Sequence, residues 1–354
     1  YTETRKNEMK NLKKVLILRF SSYGDVAIMI PVLRELSVNY PNVTFKVASR
    51  SKMAPLFDEF SNIQFVPIDL ENDYRGLIGI FKLFSFLKKL KPTHIADLHY
   101  VIRTRILSFL FKMRGYKVRS IDKGRIEKKA LTRFKNKLFE PLTPTVFRYS
   151  KVFTSLGFPI DVTKAQIPHK NILPKKMVDI FYADKKKWIG IAPFANHQGK
   201  VYPHDLMQKV IALLQRDYNI LLLGSGVKET KLLEVWSKAY LNCYNGSKEL
   251  NFREQLMVLP FLDLMISMDS LNGHLASNAG IPVITVWGQT HPYAGFTPFG
   301  QPEKYSVCVD REKFPGIPTS IYGNYIPKGY EDAFRTIDPL TIIEKAIQII
   351  EKNI

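Results

Sequence analysis

The chain is poor in cysteine, in acidic residues and in the glycine signatures of cofactor sites. Of its 354 residues only Cys243 and Cys308 are thiols. Two cannot build a disulfide framework, and a reducing cytosol is the simplest setting for them. No apolar run is long enough to span a bilayer; the best candidate, Gly76 to Leu87, is broken by Lys82. No secretory signal is present, and Met9-Lys10-Asn11-Leu12 reads as a start, so residues 1–8 are set aside from the fold. The turn Ser21-Ser22-Tyr23-Gly24-Asp25 has one glycine where a GxGxxG fingerprint has three, which disfavours nicotinamide and flavin binding. GxxxxGK[ST], HExxH, paired CxxC and GxSxG are all missing, which argues against a P-loop, a protein-built zinc site and a nucleophile elbow. None of the sixteen aspartates stands in an Asp-x-Asp pair, the usual local metal clamp for a nucleotide diphosphate. A diphosphate bound here would need cations and helix ends instead, with no divalent metal and no cofactor.

Acidic residues are outnumbered 32 to 52 by Lys and Arg, for a net charge of +20. The surplus is concentrated. Between Arg103 and Lys137 thirteen cations face only Asp122 and Glu127, which is more than half of the whole excess. So local a field calls for an anionic partner more than for general solubility. The aromatics among these cations are few, which weakens a nucleic-acid reading.

The length exceeds one ordinary domain, and the 45% apolar content is that of a globular protein. Strand and helix signals alternate twice. In the first half, Lys14 to Arg19, Val43 to Ala48, Ile63 to Pro67, His94 to Leu98 and Tyr116 to Ile121 read as strands. Val26 to Tyr40 reads as one amphipathic helix kinked by Pro31, and Leu77 to Leu90 and Val101 to Met113 as two more. Lys123 to Thr143 has little periodicity and reads as a mobile basic segment. Pro168 to Lys176 has the composition of a linker. The alternation then restarts at Trp188 to Ala192 and closes with a helix over Pro339 to Lys352. The expected architecture is α/β, with domains at 9–172 and 173–354 and a ligand in the cleft between two doubly wound halves.

The stretch from Asp263 to Pro292 carries the densest local pattern: strand, turn, helix, strand. Asp269 or Ser270 caps a helix that starts just beyond a strand's carboxyl end, where a phosphate would be welcome. Asp269 as a plain cap and His274 as a packed core histidine are the alternatives from this stretch alone. Lys200, in the loop Ala195 to Lys200 after a strand, can reach a phosphate or stand solvated.

Several segments recur in one order in a known family: Lys14 to Pro31 (KVLILRFSSYGDVAIMIP), Asp97-Leu98-His99 with Arg103-Thr104-Arg105, Gly199 to Pro203, and Asp269-Ser270 with His274 and Gly288-Gln289-Thr290. The chain resembles glycosyltransferase family 9, the ADP-heptose:lipopolysaccharide heptosyltransferases, over nearly its whole length from about Met9. The resemblance implies a GT-B fold, with an N-terminal acceptor domain, a C-terminal nucleotide-sugar domain and a final helix over 339–352 packing back across the linker. Asp25 resembles the family's general base, although a helix N-cap would serve the same carboxylate. The donor-binding residues implied are Lys200, Asp269, Ser270, Gly273, His274 and, on looser alignment, Glu229 and Leu250. One position departs from the pattern: Leu271 stands where the family has glycine, and Gly273 would restore room one turn along.

The activity implied is inverting transfer of a heptose-like sugar from a nucleotide diphosphate, ADP-heptose first among them, to an anionic lipopolysaccharide-core or related glycolipid. Arg103, Arg105, Arg125, Lys128 and Lys129 are the candidate acceptor-binding residues. The expected location is cytoplasmic, held peripherally at the inner face of the cytoplasmic membrane. The apolar faces of the Leu77 and Val101 helices read as core packing, so docking is expected to be electrostatic. Two other readings stand beside this one: a sugar-nucleotide epimerase of the same fold, and a non-catalytic binder of anionic lipid or nucleic acid.

Overall fold

The computed structural model of the chain describes residues 13–168 and 172–352; the start expected at Met9 lies outside them. Its contacts separate two units. One is the chain up to Lys123 together with Thr145–Gln166, and the other is Gly124–Pro144 together with the chain from Ile167 onward.

The first unit is built on a parallel sheet of β1 (Lys14–Leu18), β2 (Thr44–Ser49), β3 (Ile63–Pro67), β4 (His94–Asp97) and β5 (Lys117–Ser120), in the order β3-β2-β1-β4-β5. β1 is a run of Val, Leu and Ile because it is central and covered on both faces. Strand order reverses between β1 and β4, where Leu18 pairs with Asp97, so the loops after both strands leave side by side. That is where open parallel sheets hold ligands.

The second unit repeats the plan with β6 (Trp188–Ala192), β7 (Asn219–Leu222), β8 (Cys243–Asn245), β9 (Leu264–Met268), β10 (Val283–Trp287) and β11 (Ser306–Cys308), ordered β11-β10-β9-β6-β7-β8. Its reversal lies between β6 and β9, with Ala192 opposite Ser267. β8 escapes a reading by pattern because three residues, Cys-Tyr-Asn, carry no periodicity. The helix Pro339–Glu351 packs on His204–Leu214, β9 and β10, burying Ile342, Ile343, Ala346, Ile349 and Ile350.

Two expectations need correction. The single kinked helix is two helices, Tyr23–Ala27 and Ile30–Asn39, with Pro31 in the first turn of the second. Proline lacks an N–H, and a first turn is where that costs nothing. The segment read as mobile is anchored: Arg125–Thr132 is a helix, Leu131 is fully buried, and Phe139 packs on His291 and Tyr293. Lys137 Nζ donates to the carbonyls of Leu131 and Pro318 at 2.7 and 2.8 Å. Burial brings its pKa down to about 8, assisted by the charge of Arg311. These anchors belong to the second unit, so the contacts cut the chain differently from the single boundary expected at 172/173.

Candidate active site

In the first unit the loop after β1 carries Asp25. The N-cap of Tyr23–Ala27 is Ser22, not Asp25. Asp25 Oδ2 accepts instead from Ser22 Oγ at 2.8 Å and from Ser22 N at 3.3 Å. The same oxygen lies 2.5 Å from Arg19 Nη2, and both side chains are largely buried. Arg19 Nη1 donates to the Leu98 carbonyl at 2.7 Å, tying the end of β1 to the loop after β4. Asp25 therefore combines a capping contact with a buried ion pair.

The β4 loop is shaped by Asp97. Its Oδ1 accepts from the amides of His99 (3.0 Å) and Tyr100 (2.8 Å), and its Oδ2 from Ser108 Oγ (3.2 Å). Burial raises its pKa, against those hydrogen bonds. His99, one residue beyond Leu98, has Nε2 3.3 Å from Ser21 Oγ, while its buried Nδ1 has no hydrogen-bond partner. Burial, with the charges of Arg19, Lys123 and Arg50, pushes its pKa down to about 3. Ser49 Oγ and Arg50 Nε, which close β2, are likewise buried without partners. A cationic rim of Arg19, Arg50, Arg103 and Lys123 thus surrounds a neutral histidine at the carboxyl edge of this sheet. Sequence reasoning gave a role only to Arg103 of this group and to Asp25 beside it, with His99 and Arg19 present only inside the motifs of the family resemblance. The position of Arg50 and Lys123 just past strand ends was the signal that could have found the others.

Of the five cations expected to bind an acceptor, Arg103 lies at this edge, donating through Nη1 to the Tyr74 carbonyl. Arg105 lies over the Tyr100 ring, 5.3 Å from its centroid. Arg125, Lys128 and Lys129 sit on a helix of the second unit, where Lys128 lies 4.7 Å over the Phe296 ring. The structure does not bring the five together on the first unit.

In the second unit the donor candidates occupy the segments that follow four adjacent strands, Glu229 in the first turn of the helix Gly226–Ala239 and Leu250 at the end of the helix Gly246–Glu249. In sheet order these are Leu250 after β8, Glu229 after β7, Lys200 after β6 and Asp269 after β9. Lys200 Nζ and Asp269 Oδ2 are 3.2 Å apart and largely buried. Glycines allow the Lys200 loop to sit so close. A Cβ at Gly199 would stand 2.5 Å from the Gly323 carbonyl, and one at Gly323, where φ is +72°, would strike Lys200 Cγ. Gln289 staples the same loop, its amide donating to the Gly199 carbonyl at 2.8 Å.

Ser270 is the N-cap of Leu271–Asn278. Its hydroxyl makes no cap bond and lies 3.4 Å from Ser267 Oγ, so the first-turn amides are not taken by their own cap. Leu271 opens this helix. Gly273 is buried, and a Cβ there would meet Pro298 and Ser267 at 3.3 Å. His274 is buried on the same helix. Glu229 turns back on its own loop, accepting from Ser225 N at 2.7 Å, and burial raises its pKa. Leu250 is buried. Among the described residues no group of three or more His, Cys, Asp or Glu is placed to hold a metal ion.

The family model described as Glycosyltransferase family 9 (heptosyltransferase) matches residues 95–319. The lipopolysaccharide core heptosyltransferase OpsX of Haemophilus influenzae is 24% identical over 290 residues, covering 79% of this chain and 80% of that protein. Among solved structures, the glycosyl transferase family 9 protein of Veillonella parvula superposes with a TM-score of 0.72 at 16% identity, over 96% of this chain and 98% of its own. The ADP-heptose lps heptosyltransferase II of E. coli gives 0.66 at 17% identity, over 96% and 99%. These likenesses identify the two-sheet architecture as GT-B-like.

Proposed function

The chain belongs to glycosyltransferase family 9 and is a glycosyltransferase, and from that premise we propose inverting transfer of a heptose from ADP-heptose to an anionic lipopolysaccharide-core or related glycolipid. The observation that carries the donor half is the Lys200–Asp269 pair at the strand-order reversal of the second sheet. A cation for the diphosphate and a carboxylate for sugar hydroxyls stand together, beside helix amides pointing to the same edge. The strip from β8 to β9 crosses three strand spacings, about 14 Å, which suits an extended nucleoside diphosphate. Leu250 would lie toward the base, Glu229 toward the ribose, and His274 would orient the group at Asp269. The E. coli relative is an ADP-heptose lps heptosyltransferase and the H. influenzae relative a lipopolysaccharide core heptosyltransferase, which supports the donor and acceptor classes.

In the transfer, the acceptor hydroxyl oxygen bonds to the anomeric carbon as the bond to the diphosphate breaks. The electron pair leaves on the phosphate oxygen, and the acceptor proton passes to Asp25. Lys200 and the start of Leu271–Asn278 stabilise the departing charge, a role in which one donor is worth about 10²–10³-fold in rate. No divalent metal is assigned to this step. Arg103 with Arg50 and Lys123 would hold the acceptor's anionic groups. The enzyme would work in the cytoplasm at the membrane's inner face.

Incubation of the purified chain with ADP-heptose, a delipidated core acceptor and a chelator tests this reading. The expected products are ADP and a heptosylated acceptor of inverted anomeric configuration by NMR. Conversion of the sugar nucleotide to an epimer without acceptor would overturn it in favour of epimerase chemistry.

A further inference from the structure

The helices Gly76–Lys89 and Ile102–Lys112 of the first unit pack against each other and, through Ile80, Leu83, Phe84, Leu87, Leu107 and Phe111, against their own sheet. Those residues satisfy the core. A second set on the same two helices, Leu77, Ile78, Phe81, Ile102, Phe109 and the capping Met113, is more than half exposed. Single exposed apolar residues are ordinary on a protein surface, but six on two neighbouring helices are not. The first two turns of Gly76–Lys89 are apolar all round, which a helix facing water does not need.

The charge around these side chains has one sign. From Gly76 to Ser120 the chain has ten Lys or Arg and a single acid, Asp97, which is fully buried. Lys82, Lys88, Lys89, Arg105 and Lys112 are exposed on the two helices that carry the apolar set. Beside them a cleft of about 660 Å³ is lined by Phe81, Phe84, Lys88, Lys89, Arg114 and Tyr116, with the Arg114 guanidinium 4.7 Å over the Phe84 ring. Aromatic walls with cationic lips match a lipid headgroup and its first methylenes. A second copy of the chain fits poorly, because a two-fold contact would set this cationic face against itself.

We propose that this helix pair is the membrane-docking surface of the enzyme, inserting Leu77, Ile78, Phe81 and Phe109 at the headgroup level of an anionic bilayer. Purely electrostatic docking would leave those side chains without a role. The inference rests on the glycolipid-acceptor reading above for its biological sense, but its test needs no turnover.

The full chain is sedimented with vesicles of phosphatidylethanolamine and phosphatidylglycerol, and with phosphatidylcholine alone. Binding to the anionic vesicles, with a fraction that survives high salt, is expected. Leu77→Ser with Phe81→Ser and Phe109→Ser should lower affinity roughly tenfold or more and make the remainder fully salt-sensitive. A second variant reports insertion directly. The native Trp188, Trp236 and Trp287 are buried, so in Phe81→Trp a blue shift on adding anionic vesicles comes from the new side chain. Unchanged binding by the triple variant, no shift in Phe81→Trp, or loss of a wild-type dimer in the triple variant would each overturn the proposal. Transfer to a water-soluble acceptor should stay within about twofold in the triple variant, since exposed positions outside the site change little. If the chain transfers no sugar at all, the functional reading fails while the vesicle result stands.

Discussion

One guanidinium, that of Arg19, holds Asp25 Oδ2 at 2.5 Å and the Leu98 carbonyl at 2.7 Å. It joins the proposed base after β1 to the His99 loop after β4, across the reversal of strand order. A carboxylate fixed from one side by an arginine and from the other by Ser22 has one aim, and such fixing is what general-base catalysis requires of its geometry.

Asp25→Asn should abolish transfer while sparing ADP binding. Loss of a general base costs ~10²–10⁴-fold in rate. Steady-state kinetics and calorimetry on one preparation decide it: full activity removes the assignment. A fall in Tm with activity unchanged would leave Asp25 a capping residue.

Arg19→Met should lower kcat more than it raises KM and should also lower Tm. It strands a buried carboxylate, and breaking a buried pair costs about 3–5 kcal/mol, less here because Asp25 keeps some contact with solvent. Asp25→Asn with Arg19→Met should recover part of the stability and none of the activity. Strict additivity of the two stability losses would show that the pair is not coupled.

Lys200→Ala should weaken ADP binding by at least about tenfold and adenosine binding hardly at all. It should also destabilise the second unit by roughly 2–4 kcal/mol, because Asp269 is left buried without its cation. Equal losses for the two ligands by calorimetry would remove Lys200 from the diphosphate.

Acid should destabilise the first unit through His99 and the second through His291, whose folded pKa values lie at about 3 and about 4 against 6.5 for the free side chain. Burial is the main cause in both, and neighbouring cations add to it. Below 6.5 the unfolded chain takes up protons that the folded one refuses, so stability falls as pH drops. Each histidine contributes up to about 1.4 kcal/mol per pH unit until its folded value is reached. Thermal unfolding from pH 7 to 5 should show a declining Tm, and His99→Gln should flatten the decline. An unchanged slope would show that His99 is protonated in the folded protein.

Periodicity by itself determined the two rounds of strand and helix. A central parallel strand is buried on both faces, so β1, β6, β9 and β10 are written almost wholly in apolar residues. The loops after β1, β6 and β9 were legible for a related reason: small and polar residues directly after such a strand mark a carboxyl edge. What no spacing contains is which loops meet. Arg19 finds Leu98, and Lys200 finds Asp269, only because β1 lies beside β4 and β6 beside β9, a property of the assembled sheets. The basic segment shows the same limit. Its charges read as a solvated, mobile run, yet Leu131 and Phe139 had apolar partners far away in sequence that tie it to the second unit. The exposed apolar side chains of Gly76–Lys89 fit one amphipathic pattern with the buried ones. Only packing, which can cover one face of a helix against one sheet, decided that Leu83 is core and Phe81 is surface.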